Sequence, residues 1–468
     1  MKKLIYILLV FLCSFCSSGN NAQQNISTAE EITTPETTPE TTPETTPAQE
    51  NPGILDYVQP QILDYEGLDL KFVGEFNLFD SDVPPTANSI SDIDKIYINN
   101  DPFYLLTFTY AKKIILVDLN FENSVEFLDY SNLAASSLTG TESGLINISV
   151  LENSDESALL LISYIDKRSR LKLDLIEVSL NIESSSVLNS KNIFTGNQNL
   201  LPQHYGGSIY FNPLENQIYF SVGDHNIKGL ELLNNFSPEG KILRFKYTLN
   251  KTNPIDSVKP DGKSISSIYN MRNGLKINEL DTIFLSGFRN PWQPNLYTDT
   301  TSNKSYLIIG DVGDRKYEEL NIVNLEEISS DTHFGWPIFE GAYLSENSIN
   351  YDKVIIKKEE IFKKQHIPFF VYEHKDNSEG KYRCAIILGD TLSSDTEFFN
   401  NMFIFTDVCS GELFGFKIKN RNISLYNFKK TNFIDSNVGG INPNVIRSIT
   451  NKTFVLTFTG QIFQIVEK

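Results

Sequence analysis

An imidazole, a carboxylate, a guanidinium and a turn able to present carbonyls recur at the ends of strand-like runs in this sequence. Together they are an inventory for redox or ligand chemistry. His204 to Asp224 reads HYGGSIYFNPLENQIYFSVGD: a histidine, two glycines, a strand pair, then Gly223-Asp224. Downstream lie SGFRNPWQ (Ser286 to Gln293), IIGDVGDRKYEELN (Ile308 to Asn321) and HFGWPIFEG (His333 to Gly341). His204 supplies an imidazole, Asp224 a carboxylate and Arg289 a permanent cation. Glycine in GDVGD lets backbone carbonyls converge. A site of this kind suits the mouth of a β-propeller, where strand ends meet.

The elements that must carry these residues are strands. From about Leu68 to Lys468 the chain alternates or runs apolar for four to eight residues between Gly, Pro, Asn and Asp clusters, as in FYLLTFTY, ALLLISYI, QIYFSVG, SYLIIGDVG and TFVLTFT. Helical periodicity is nearly absent, with Val354 to Lys364 a short exception. Roughly 400 residues of such strands exceed one sandwich or simple barrel. The fold expected is all-β, a six-bladed β-propeller of four-stranded antiparallel blades, about 65 residues per blade. The closing run GQIFQIV is expected to pair with an N-terminal strand and seal the ring.

Three regions follow. Residues 1–18 read as an export signal: Met1-Lys2-Lys3, then the apolar LIYILLVFLCSF, too short to favour a spanning helix. Cys16 directly after it suggests lipid attachment, although Phe15 is bulkier than the residue such a site prefers; plain secretion is the alternative. Residues 19–60 form a linker, since TTPETTPETTPETTP (Thr33 to Pro47) cannot build a core and extends the chain as a spacer. Residues 61–468 form the propeller. The chain is placed as exported, periplasmic or at the cell surface. Cys384 and Cys409 are then an even pair in an oxidising compartment, and a disulfide is the default. A net charge of −19 repels phosphate backbones and argues against nucleic-acid binding.

The blocks from His204 to Phe416, taken in order with GKILRF (Gly240 to Phe245) and FIFTDVCSGELFGF (Phe403 to Phe416), resemble the glucose/sorbosone dehydrogenase family. ESGLINISV (Glu142 to Val150) extends the likeness upstream. That family contains soluble aldose dehydrogenases dependent on pyrroloquinoline quinone (PQQ), and Hedgehog-interacting-protein-like propellers. The resemblance implies a six-bladed propeller that transfers hydride from a sugar hydroxyl carbon to PQQ. His204 stands where the family has its general base, with Asp224 orienting it. Arg289 stands where an arginine faces the quinone carbonyl, and Asn290 where an asparagine donates to the cofactor. Gly313 and Asp314 match the turn whose carbonyls bind Ca²⁺, a hard cation that prefers clustered oxygens. Asp311, Glu318 and Glu319 add negative charge nearby. Trp336-Pro337 and Trp292 are expected to pack between blades, and His333 to be structural.

The family's grip on the three quinone carboxylates is depleted. Where it has a lysine, this chain has Val408-Cys409-Ser410. Of its Arg-x-Arg pair, only Arg447 in NPNVIRSI remains. Each lost charged hydrogen bond costs about 1.5–3 kcal/mol. Two functions are therefore carried forward. One is an exported PQQ- and Ca²⁺-dependent sugar dehydrogenase passing electrons to a periplasmic acceptor. The other is a non-catalytic, surface-tethered propeller binding a glycan or protein.

Overall fold

The structure, a computed structural model, describes residues 57–468 except 80–83, 136–141, 183–184, 200, 228–229, 234–236, 263–281, 329–331, 347–364, 376–381 and 429–442. The export signal with Cys16, the Thr/Pro/Glu repeats and the helix expected over Val354 to Lys364 lie outside the described residues. Among the described residues the regular elements are strands and three short 3-10 turns, with no α-helix.

Six antiparallel sheets form the blades of a propeller. Their innermost strands are Ile90–Ile98, Leu145–Asn153, Gly206–Asn212, Pro291–Asp299, Ile386–Thr391 and Pro443–Ile449. The last blade closes the ring as expected: Leu68–Glu75 pairs antiparallel with Gln461–Glu467. Two blades exceed four strands. The third blade gains Ile283–Ser286 beside Lys241–Tyr247, and the fifth gains Ile62–Tyr65, which pairs parallel with Asn422–Phe428.

Each blade is sandwiched between two others, so its strands bury both faces, and the period of two sorts them. Leu307 and Ile309 pack towards the third blade, while Ile308 between them packs towards the fifth. Ile114 and Leu116 face the second blade, and Ile115 and Val117 face the sixth. One apolar cluster fills each of the six blade-to-blade seams. This explains the short apolar runs: a strand with two buried faces has no polar side to alternate with. Each buried Leu, Ile or Phe contributes about 1.5–3 kcal/mol of transfer free energy.

Polar side chains complete the ring around its axis. Every inner strand is stitched to the next by a side-chain hydrogen bond: Asp92 to Ile148 N–H (3.2 Å), Asn147 to Ile209 N–H (3.1 Å), Ser208 to Gln293 N–H (3.0 Å), Asn295 to Gly389 carbonyl (2.9 Å), Asp390 to Ser448 N–H (3.2 Å) and Asn444 to Ile90 carbonyl (2.8 Å). Among the described residues neighbouring inner strands belong to separate sheets, and short polar side chains satisfy buried backbone groups between them.

Candidate functional site

The start of each inner strand lies at the same end of the ring as the end of the strand that follows it. His204 immediately precedes Gly206–Asn212, and Asp224 follows Gln217–Val222. Arg289 and Asn290 immediately precede Pro291–Asp299, and Asp311 to Asp314 close Lys304–Asp311. Antiparallel geometry alone therefore brings four distant segments to one mouth.

Backbone bonds lace them together. The Asp224 N–H donates to the Arg289 carbonyl at 2.6 Å and the His225 N–H to the His204 carbonyl at 3.3 Å. The Asn290 side-chain oxygen accepts the Gly206 N–H at 3.1 Å, and Glu142, from the upstream ESGL block, accepts the Tyr205 N–H at 3.1 Å. Gly223 is required here, because a Cβ would lie 2.1 Å from the His204 carbonyl oxygen. His204 itself adopts a left-handed φ of 55°, a conformation costly for a residue with a Cβ and held by its surroundings.

His204 Nδ1 lies 2.8 Å from Asp224 Oδ1. On the ring's other side, Arg289 Nη2 lies 3.0 Å from His204 Nε2. The guanidinium continues to the Val312 carbonyl (Nη1, 2.9 Å) and to Asp314 Oδ1 (Nη2, 3.3 Å). Asp224 Oδ2 accepts the Trp336 indole N–H at 2.9 Å, and Oδ1 also accepts the Asn226 N–H at 2.8 Å. His204, Asp224, Arg289, Asp314 and Trp336 are all buried; the His204 side chain retains 11% exposure and that of Asp224 2%. Burial alone would raise the Asp224 carboxyl, but His204 and Arg289 outweigh it and hold it below the ordinary carboxylate range.

The structure thus brings together His204, Asp224, Arg289, Asn290 and Asp314. Arg447 is engaged elsewhere among the described residues: its Nε donates to Asp92 Oδ1 at 3.0 Å, across the seam between the sixth and first blades. Asp94 and Asp390 stand close enough to interact electrostatically with it. Burial raises all three of these carboxyls, Asp94 to about 7.

Three contributors escaped the sequence reading. Asp311 is buried, and its carboxylate accepts the backbone N–H groups of Arg289 (2.9 Å) and Asn290 (2.8 Å), so it sets the turn that aims both side chains. Burial pushes it and its cross-strand partner Glu319 upward. Trp336, expected only to pack between blades, also bonds Asp224 and has Arg289 5.8 Å above its ring. Glu340 gathers the 314–317 turn. Glu318 is likewise buried and paired with His374. Cys384 and Cys409 are joined as a disulfide.

Chemically, this is an imidazole held between a carboxylate and a guanidinium at the mouth of a six-bladed propeller. The profile of the glucose/sorbosone dehydrogenase family matches residues 123–378, more than half of the chain, and the chain belongs to that family. No curated protein matches it in sequence. Solved structures share the fold. The apo-form soluble aldose sugar dehydrogenase of Escherichia coli superposes with a TM-score of 0.58 at 13% identity, covering 86% of this chain and 100% of that one. The PQQ-bound aldose sugar dehydrogenase of Streptomyces coelicolor gives 0.52 at 15% identity, covering 86% and 98%. A glucose dehydrogenase gives 0.57 at 13% identity, covering 85% and 98%.

A quinone with three carboxylates and a calcium ion can be tested against these residues. The residues around His204 fit part of this: they offer an imidazole, a buried guanidinium and a turn whose N–H groups face Glu340, which directs the carbonyl of each preceding residue away from it. Of the cations that the resemblance assigns to the quinone carboxylates, Val408-Cys409-Ser410 provides none and Arg447 is paired with Asp92.

Proposed function

We propose that this chain is an exported, PQQ-type sugar dehydrogenase in which His204 accepts the proton of a sugar hydroxyl. One observation carries the reading. Arg289 can only donate, so its contact with His204 Nε2 requires a lone pair there, and the proton resides on Nδ1, facing Asp224. That is the protonation state a base needs. Asp224 then stabilises the imidazolium that forms when Nε2 takes the hydroxyl proton. Arg289 and Asn290 would hold the cofactor, and the Gly313-Asp314 turn a calcium ion. PQQ, when bound, would supply the hydride acceptor, and a periplasmic acceptor would remove the electrons. Residues 1–18 and the linker to residue 60 would carry residues 61–468 outside the cell, tethered through Cys16.

A second reading rests on Arg447. With that cation committed to Asp92, the same mouth suits a tethered propeller that binds a glycan or protein without turnover.

The deciding experiment adds PQQ and Ca²⁺ to the purified chain and follows binding and dye reduction over a panel of aldoses. Saturable binding with sugar-dependent reduction, abolished by His204→Ala in a folded protein, is the expected result. Absence of both binding and reduction at saturating cofactor rejects the dehydrogenase and leaves the binding propeller.

A further inference from the structure

Glu340 sits in the short strand Phe339–Glu340 and is 4% exposed. A single oxygen, Oε1, accepts four consecutive backbone N–H groups: Asp314 (2.9 Å), Arg315 (2.8 Å), Lys316 (2.7 Å) and Tyr317 (3.1 Å). Successive N–H groups converging in this way form a nest, a concavity that binds anions. Here the anion is part of the chain. Gly313 completes the curvature, since a Cβ would lie 1.7 Å from the Tyr317 carbonyl oxygen.

The turn wound around Glu340 has a second face. The only cis peptide among the described residues is Trp336-Pro337. In a trans peptide the carbonyl opposes its N–H, so the carbonyls of Gly313, Asp314 and Arg315 point away from Glu340. The same turn supplies the Val312 carbonyl and Asp314 Oδ1, which grip Arg289, and Arg289 reaches His204 Nε2.

We propose that Glu340 is a positioning residue for the site: its carboxylate is the internal anion that shapes the Gly313–Tyr317 turn, and through that turn it holds the Arg289 guanidinium against His204. The inference rests on the reading of His204 and Arg289 as the working pair.

The test uses the full chain with Glu340→Ala and Glu340→Gln, neither quinone nor sugar being needed. Hydrogen exchange by mass spectrometry should quicken roughly tenfold or more in the peptide covering 312–317 of the alanine variant, with blade one unchanged. Modification of His204 by diethyl pyrocarbonate, mapped by peptide mass, should quicken severalfold as the guanidinium loosens. Excess formate, a carboxylate small enough for the vacated nest, should reverse both changes, which it would not do for a residue that merely fills space. Glu340→Gln keeps the volume but not the charge and should fall between; it carries the comparison if the alanine variant does not fold. Unchanged exchange in the turn, unchanged His204 reactivity, or no rescue by formate would each overturn the proposal. Failure of dye reduction in the wild type would reject the dehydrogenase reading and leave these measurements intact.

Discussion

Arg289 Nη2 meets His204 Nε2 at 3.0 Å while Asp224 Oδ1 meets His204 Nδ1 at 2.8 Å, so the imidazole is held as one tautomer between a donor and an acceptor. In the proposed reaction a sugar hydroxyl would approach the same Nε2 lone pair that the guanidinium now faces. The guanidinium therefore sits beside the point where charge would develop, where a fixed cation is most effective.

Asp224→Asn should reverse the tautomer. An amide donor facing Nδ1 pushes the ring proton to Nε2, against Arg289, and sugar-dependent dye reduction should fall roughly 10²–10⁴-fold. The pH dependence is distinctive. The Asp224 carboxyl lies below its ordinary value of 3.8 in the folded chain. Its stabilisation is therefore full above that value and is lost as pH falls through the lower, folded one. Thermal midpoints of wild type and variant should differ most near neutral pH, begin to converge as the pH falls below about 4, and meet only below the lower, folded value. A constant difference across that range would refute the coupling.

Trp336→Phe keeps an aromatic ring, though a smaller one, and removes the N–H that Asp224 accepts at 2.9 Å. A hydrogen bond to a charged group contributes about 1.5–3 kcal/mol, and urea unfolding should register a loss of that order. The loss should shrink when the same substitution is made in an Asp224→Ala background; an equal loss in both backgrounds would assign Trp336 to packing alone.

Arg447 crosses the closing seam of the ring, with its side chain 13% exposed and that of Asp92 2% exposed. Arg447→Met leaves a buried carboxylate without its partner, a change expected to cost about 3–5 kcal/mol. Adding Asp92→Asn should recover part of the loss. An unfolding midpoint insensitive to Arg447→Met, with weakened quinone binding, would return this arginine to the cofactor.

The Cys384–Cys409 bridge closes a loop with a sequence separation of 25, for which chain-entropy arguments give about 3–4 kcal/mol. Reductant should lower the denaturation midpoint of the wild type and leave a double serine variant unchanged. Peptide mapping without reduction would expose free thiols if the bridge does not form.

Much of the architecture was legible in the sequence. Short runs such as YLIIG and FIFTD need partners on both faces, and only a ring of blades supplies them for six sheets at once. The terminal run GQIFQIV had one sensible use, and it closes the ring on Leu68–Glu75. The residues of the mouth were legible because Gly, His, Asp and Arg at strand ends are constrained by backbone geometry: Gly223 has no room for a side chain.

What supports those residues was not legible. Asp311 looks in sequence like one more charge beside the turn, Glu340 is not singled out at all, and Trp336 looks like core. Their roles depend on partners that are distant in the chain or on another element: Asp224 for Trp336, Arg289 for Asp311, and a turn some two dozen residues upstream for Glu340. Arg447 makes the same point in the opposite direction. Its position suggested an anion ligand, and folding set Asp92 beside it. The amino-acid sequence by itself determined the strand period, the closed ring and the chemical inventory of the mouth, because these follow from local geometry and side-chain type. Only the tertiary structure decided which carboxylate faces which cation, because that choice is made by segments the ring brings together from across the chain.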